Sequence, residues 1–279
     1  MARFLIVTAD DFGLHESVNE AVERASNAGV LTAASLMVGE AAADDAVRRA
    51  HRLPGLRVGL HLTLADGRAT LPPARLPGLV DSQGFFGHRM VRDGVRFFAL
   101  PRVRRQLEDE IRAQFEAFAA TGLELDHVNA HKHFHLHPTV LSMVLRIGPD
   151  FGLKFAGIRI PDEPAWAATA GNRLLLPWLA LMRRRLHAAG IRCNGQLLGL
   201  SQSGQVTESR LLEMLERLPA GATEIYLHPA TQSGAAIKST MSGYRHTDEL
   251  AALLSDRVVE RLASMRASGL TCGGYSDLP

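Results

Sequence analysis

Short continuous apolar runs alternate along the chain with longer segments whose apolar positions recur at helical spacing. Residues 4–7, Phe-Leu-Ile-Val, are such a run, the pattern of a parallel strand buried on both faces. Residues 16–27 follow, with Val18, Val22 and Ala25 on one helical face and Gly29 as a stop. The same rhythm predicts strands over 33–38, 56–62, 125–129, 155–160, 223–227 and 270–275. It predicts helices over 42–51, 101–122, 138–147, 172–189, 208–218 and 247–268. The helix opened by Pro101 is the clearest, since Val103, Leu107, Ile111, Phe115 and Phe118 share a face. The helix over 172–189 is expected to bend at Pro177, and that over 247–268 to run unbroken. Residues 65–100, rich in Pro, Gly and Arg, read as one long irregular stretch, a kind that is usually functional.

Strands alternating with helices imply βαβ units and a parallel sheet. About seven strands in 279 residues predict an α/β fold. The expected form is an irregular, TIM-barrel-like (β/α) barrel, with residues 1–279 as one domain. No GxGxxG follows the first strand, so a dinucleotide-binding fold has little support. Whether barrel or open sheet, the chemistry is expected at the carboxyl ends of the strands.

Composition narrows the function. A hydrophobic fraction of 46% sustains a substantial core, and 22% charged residues argue against wholesale disorder. A net charge of +2 is not that of a dedicated nucleic-acid binder. Lys132, Lys154 and Lys238 are the only lysines; the other basic residues are arginines, which suit bidentate anion contacts. A compositional bias of the source genome gives the same pattern. Cys193 and Cys272 cannot build a disulfide framework, and neither lies in a CxxC. The first apolar run is too short for a signal-peptide core, and residues 174–182 are too few to span a bilayer. A cytoplasmic location is therefore expected.

Four polar clusters fall at or just after predicted strand ends: Asp10-Asp11, His61, the run His131, His133, His135 and His137, and His228. A barrel brings all four to one rim. Five of the chain's 12 histidines lie between His127 and His137, a density that favours metal binding or catalysis over a polar loop. In an extended chain the four alternate histidines from 131 to 137 would share one face. One metal cannot use all four, so some are expected near the metal or facing substrate. Taken singly the signals are weak. Asp11 could cap the next helix, and a lone His61 or His228 at a strand end is more often structural. Together they supply a reaction. One carboxylate and two imidazoles form a common ligand set for Zn²⁺ or another divalent ion, with positions left for water and substrate. Asp11, His61 and a histidine of the 131–137 run serve as ligands, Asp10 as the base for the water, and His228 as the acid for a leaving amine. The reaction class is metal-assisted hydrolysis of an amide or ester. Zn²⁺ and Mg²⁺ are the expected ions; Mn²⁺, Co²⁺ and Ni²⁺ fit the same ligands.

These segments resemble the YdjC-like carbohydrate deacetylases over nearly the whole chain. The resemblance lies in Thr8-Ala9-Asp10-Asp11-Phe12-Gly13, Gly59-Leu60-His61-Leu62, the His-x-His-x-His run from His131, Ile158-Arg159-Ile160-Pro161, and Leu227-His228-Pro229. It implies an irregular barrel that removes acetyl groups from N-acetylglucosamine units. It places metal ligands on Asp11, His61 and His131, the base on Asp10 and the acid on His228. Arg159, with His133 and His135, is expected to face substrate. The chito-oligosaccharide members read Asp-Ser where this chain reads Asn129-Ala130, so an amide stands where they carry a carboxylate.

The string from Val128 to Pro138, and Gly94-Val95-Arg96-Phe97-Phe98, are similar to the hopanoid-associated HpnK-type branch. That similarity implies a glucosamine unit on a bacteriohopane polyol as substrate, and peripheral contact with the inner membrane. Leu174, Leu175, Leu176, Trp178, Leu179 and Leu181, followed by Arg183-Arg184-Arg185, suit a membrane interface. An ordinary barrel helix with a buried face reads the same way. A soluble chito-oligosaccharide deacetylase and a catalytically silent metal-dependent binding protein are the rival readings. The oligomeric state is open.

Overall fold

The computed structural model describes residues 3–234 and 237–279. Among the described residues, nine strands make one sheet in which every ladder is parallel. They are β1 (Arg3–Phe12), β2 (Ala33–Leu36), β3 (Arg57–Leu62), β4 (His127–Ala130), β5 (Gly157–Ile158), β6 (Arg192–Cys193), β7 (Gln196–Leu198), β8 (Gly221–Leu227) and β9 (Leu270–Cys272). The order is β6-β5-β4-β3-β2-β1-β8-β7, and β9 pairs with the start of β1. The irregular α/β barrel expected from the alternation is what the chain forms. Two strands were not anticipated. β6 and β7 lie at opposite ends of the strand order yet are joined by Asn194 and Gly195 alone, so the sheet curls until its edges meet. At that junction the Asn194 amide replaces a ladder: its Nδ2 donates to the Ile160 carbonyl (2.9 Å), and its Oδ1 accepts from the Ile160 N–H (2.7 Å).

The strands alternate in a way that explains both core and site. Val7, Ala9, Val58, Leu60, Val128, Ile158 and Ile225 belong to the main apolar core packed under the helices. The intervening positions carry Thr8, Asp10, Ser35, His61, His127, Asn129, Glu224 and Tyr226, all buried, and all but Tyr226 are paired with another of the set by hydrogen bonds. A period of two therefore separates an apolar outside from a polar inside.

Helices α1 (Glu16–Ala28), α2 (Ala43–Ala50), α3 (Met90–Ala99), α4 (Pro101–Ala120) and α5 (Pro138–Ile147) cover the first half. α4 buries Val103, Leu107, Ile111, Phe115 and Phe118, as its spacing predicts. The stretch 65–100 is less irregular than expected, because α3 occupies its last third and buries Phe97. Glu110 of α4 pins the earlier part by accepting from the N–H groups of Thr70 and Leu71.

In the second half, residues 172–189 do not form one bent helix. A short α6 (Ala170–Arg173) precedes α7 (Leu176–Ala188), and Pro177 lies in the first turn of α7, where its missing N–H has no cost. After α8 (Glu208–Glu216), the last predicted helix is two: α9 (His246–Leu254) and α10 (Asp256–Ala267). Ser255 is extended (ψ 128°) between them, and its hydroxyl donates to Glu208. Among the described residues no helix is long and apolar enough to cross a membrane.

Candidate metal and active site

All the strands run in one direction, so Asp10 and Asp11 of β1, His61 of β3, His131 after β4 and His228 after β8 reach the same rim. Adjacent residues of a regular strand point to opposite faces. β1 avoids this with one extra residue between Ala9 and Phe12 relative to β2, and with Asp11 in the left-handed region (φ 63°), which aspartate tolerates better than most side chains. Both carboxylates thus serve one site.

Asp11, His61 and His131 are buried and each offers a ligand atom, all within 4.8 Å of one another. Asp11 Oδ1 lies 2.9 Å from His131 Nδ1 and 3.3 Å from His61 Nε2. Asp11 Oδ2 and His131 Nε2 are buried without a hydrogen-bond partner. A buried carboxylate oxygen and imidazole nitrogen left unbonded are costly unless something else binds them, and a divalent cation fits that need and this donor set. Asn129 prepares His61 for it. Its Oδ1 accepts from His61 Nδ1 at 2.6 Å, which leaves Nε2 as the free ligand atom. Its Nδ2 donates to Ser35 Oγ (2.9 Å) and Asp10 Oδ1 (3.2 Å), a bond that a carboxylate at this position could not donate.

Asp10 is not a ligand in this arrangement. Arg159 grips it with Nη1 at 2.5 Å from Oδ2 and Nη2 at 3.0 Å from Oδ1, and Ser35 adds a third donor. Burial pushes the Asp10 carboxyl up, but the Arg159 charge, with His61 nearby, overrides it and holds the group far below the usual carboxylate range. Burial likewise opposes Asp11, and His131 and His61 together bring it well down. His228 faces the same cavity. Burial lowers its imidazole to about 4 against the pull of Asp11 and Asp10, so it is neutral at pH 7, and its Nδ1 is unbonded. Its backbone is fixed by Glu249, which accepts from the His228 N–H, and by His246, whose Nδ1 donates to the His228 carbonyl.

The histidine run does not lie extended. Residues 131–136 form a tight 3-10 turn with Lys132 and His133 both left-handed (φ 54° and 55°), so the four side chains diverge. His131 meets Asp11. His133 faces Tyr226, its Nε2 3.3 Å from the phenol oxygen. His135 is buried, with Nε2 donating to the Arg159 carbonyl, and His137 packs against Phe97. Of the three residues expected to face substrate, only His133 lines the cavity. Arg159 has no exposed surface, and its whole guanidinium edge is taken by Asp10 and Glu224.

The cavity over these groups measures about 200 Å³ and is roofed by Leu200, Ser203, Thr240, Met241 and Tyr244. A larger hollow of about 660 Å³ lies at the opposite end of the barrel, beside the starts of β3 and β4. Its one bore-facing carboxylate, Asp126, is already bonded to His127, Tyr275 and Ser276. The smaller cavity is the one lined by Asp10, His61, His131 and His228.

The YdjC-like protein family matches residues 4–264. The chain belongs to the YdjC-like family. It is 31% identical over 265 residues to a carbohydrate deacetylase of Geobacillus stearothermophilus, with 94% of each chain covered. It is 28% identical over 261 residues to a carbohydrate deacetylase of Vibrio cholerae, covering 93% of this chain and 91% of that one. A crystal structure from Enterococcus faecalis, described as a candidate cellobiose-phosphate cleavage protein, has the same fold. Its TM-score is 0.74 at 22% identity, over 99% of this chain and 98% of that one.

In this YdjC-like chain, motif reading alone misses Ser35, His127, Glu224, Tyr226 and Tyr275. His127, Glu224 and Tyr226 could have been found by the strand period of two: Glu224, Tyr226 and His228 alternate, as do His127, Asn129 and His131; Ser35 is the one polar residue of β2 and shows no alternation. Tyr275 lies past β9 and carries no such signal.

Proposed function

We propose that the protein is a metal-dependent deacetylase that hydrolyses the N-acetyl group of an amino sugar, and that the sugar is carried on a lipid. One observation carries the first part. Asp11, His61 and His131 converge as a ligand set beside Asp10 and His228 over one cavity. The relatives named carbohydrate deacetylase, which cover nearly the whole chain, support it.

A divalent ion held by Asp11, His61 and His131 would polarise the acetyl carbonyl and lower the pKa of water. Asp10, kept anionic by Arg159, is the acceptor for the proton that water loses as its oxygen bonds to the acetyl carbon. The C–N bond then breaks, and the amine leaves with a proton passed through His228, which lines the same cavity. Acetate and the free amino sugar are the products. His133 and Tyr226 border the space for the sugar.

The lipid part is supported by an apolar skirt. Leu174, Leu175, Leu176 and Leu181 are exposed on and before α7, next to Arg183, Arg184 and Arg185; Val91, Val95 and Phe98 are exposed on α3. Both segments touch the 131–137 turn: Trp178 Nε1 donates to the Leu136 carbonyl, and Phe97 packs on His137. Apolar side chains beside a basic end suit a membrane-bound substrate.

The test is acetate release from diacetylchitobiose and from an N-acetylglucosaminyl hopanoid, with metal analysis. Turnover of the glycolipid is expected, together with loss of turnover but not of metal in Asp10→Asn. Good turnover of chitobiose without turnover of the glycolipid removes the lipid part. Bound metal with no acetate from either substrate turns the reading to a binding protein.

A further inference from the structure

Beneath the rim the bore holds polar side chains that do not line the cavity. Asp126, just before β4, accepts from His127 Nδ1 (2.8 Å) and from the Tyr275 N–H (3.0 Å) with one oxygen. Its other oxygen accepts from the N–H (2.9 Å) and the hydroxyl (2.7 Å) of Ser276. On the far side of the imidazole, His127 Nε2 lies 2.9 Å from Ser35 Oγ. The Ser35 hydroxyl donates to Asp10 Oδ1 at 2.9 Å. The imidazole and this hydroxyl thus stand between the carboxylates of Asp126 and Asp10.

A second chain lies beside the first. The Tyr275 hydroxyl donates to Glu224 Oε2 at 2.5 Å. Glu224 holds Arg159 through Nε (3.0 Å) and Nη2 (2.6 Å), with Thr8 as a further donor to the same carboxylate. Arg159 then grips both oxygens of Asp10. Tyr275, His127, Ser35, Glu224 and Arg159 have no exposed surface.

The strands leave room for these side chains. An added Cβ on Gly59 of β3 would lie 2.5 Å from the His127 ring, and one on Gly157 of β5 would lie 2.3 Å from Tyr275 Cδ1. The two rings in turn pack against each other, with centroids 5.2 Å apart.

We propose that Tyr275 is a positioning residue for Asp10, acting through two buried hydrogen-bonded chains that leave its backbone and its hydroxyl separately and converge on the same carboxylate. The segment after β9 thereby fixes the base from the opposite end of the barrel. Burial opposes the Asp126 carboxylate, yet His127 and Ser276 hold it down to about 2, as a permanently ionised anchor requires. The inference rests on Asp10 being the base proposed above.

Tyr275→Phe keeps the ring and the peptide N–H and removes only the hydroxyl; Ser35→Ala cuts the other chain. On diacetylchitobiose or the hopanoid glycolipid, whichever the wild type deacetylates, each substitution is expected to lower kcat roughly ten- to a hundredfold. KM and bound metal should stay near wild type. The double variant should lose less than the product of the two, since both chains end on one group. Unchanged kcat in folded, metal-loaded variants overturns the proposal. A second readout needs no turnover. In ¹⁵N-histidine-labelled protein as purified, the Nε2 resonance of His127, assigned by its loss in His127→Gln, is expected to shift in both variants. A resonance indifferent to both changes overturns the proposal whether or not the protein is a deacetylase.

Discussion

Asn129 shows how one residue can tune both halves of the site. It orients His61 through its carbonyl and donates to Asp10 through its amide, so the proposed ligand and the proposed base share a single support. Asn129→Ala leaves His61 free to rotate and to change tautomer. Affinity for zinc, titrated by calorimetry, is expected to fall roughly ten- to a hundredfold. The sequence announces the residue types here but not their division of labour. Asp10 and Asp11 are adjacent, and only the bulge and the left-handed Asp11 explain why both reach the rim. The resemblance to the YdjC-like family places Arg159 toward substrate. In the fold it is buried between Asp10 and Glu224, a neighbour 65 residues away that no local pattern reveals.

At the scale of elements, the loops that build the cavity mouth are tied at Asp66. Its carboxylate meets Lys132 Nζ at 2.6 Å and accepts from the Thr240 hydroxyl at 2.7 Å, while its carbonyl accepts from Lys238 Nζ. Two of the three lysines in the chain converge there. Asp66→Ala is expected to raise KM by roughly fivefold, the equivalent of about 1 kcal/mol, with less effect on kcat. Limited proteolysis should cut the mouth loops faster than in wild type.

The helices and strands themselves were largely legible because the period of two and the helical spacing are strong where a face is buried. The failures have local causes. Ser255 interrupts an apolar stripe without breaking its register, so 247–268 reads as one helix. Strands β6 and β7 are too short to carry any period. The 131–137 run alternates like a strand but turns, because Lys132 and His133 adopt a backbone conformation that no sequence rule assigns to them.

For the molecule as a whole, Asp126 couples acid stability to the bore. Its carboxyl is depressed to about 2, so between pH 4 and pH 2 the unfolded chain binds more protons than the folded one. Stability is therefore full above the unfolded value and is lost as pH falls through about 2; the contribution at pH 7 is about 2 kcal/mol. Urea unfolding followed from pH 6 to pH 2.5 should show this loss, and Asp126→Asn should flatten its lower limb.

The junction at Asn194 and Gly195 gives the barrel an order of opening. Seven neighbouring pairs along the sheet are held by ladders, whereas the last contact depends on one side-chain amide and a few N–H groups, among them Gly195 to Ala222 and Leu197 to Asp162. Native-state hydrogen exchange should find these amides exchanging through a small local fluctuation, well before those of β1 and β8, which should wait for global unfolding. The ring of strands thus has a clasp, and a clasp that releases first spares the rim on the far side, where the candidate metal ligands of β1 and β3 are held.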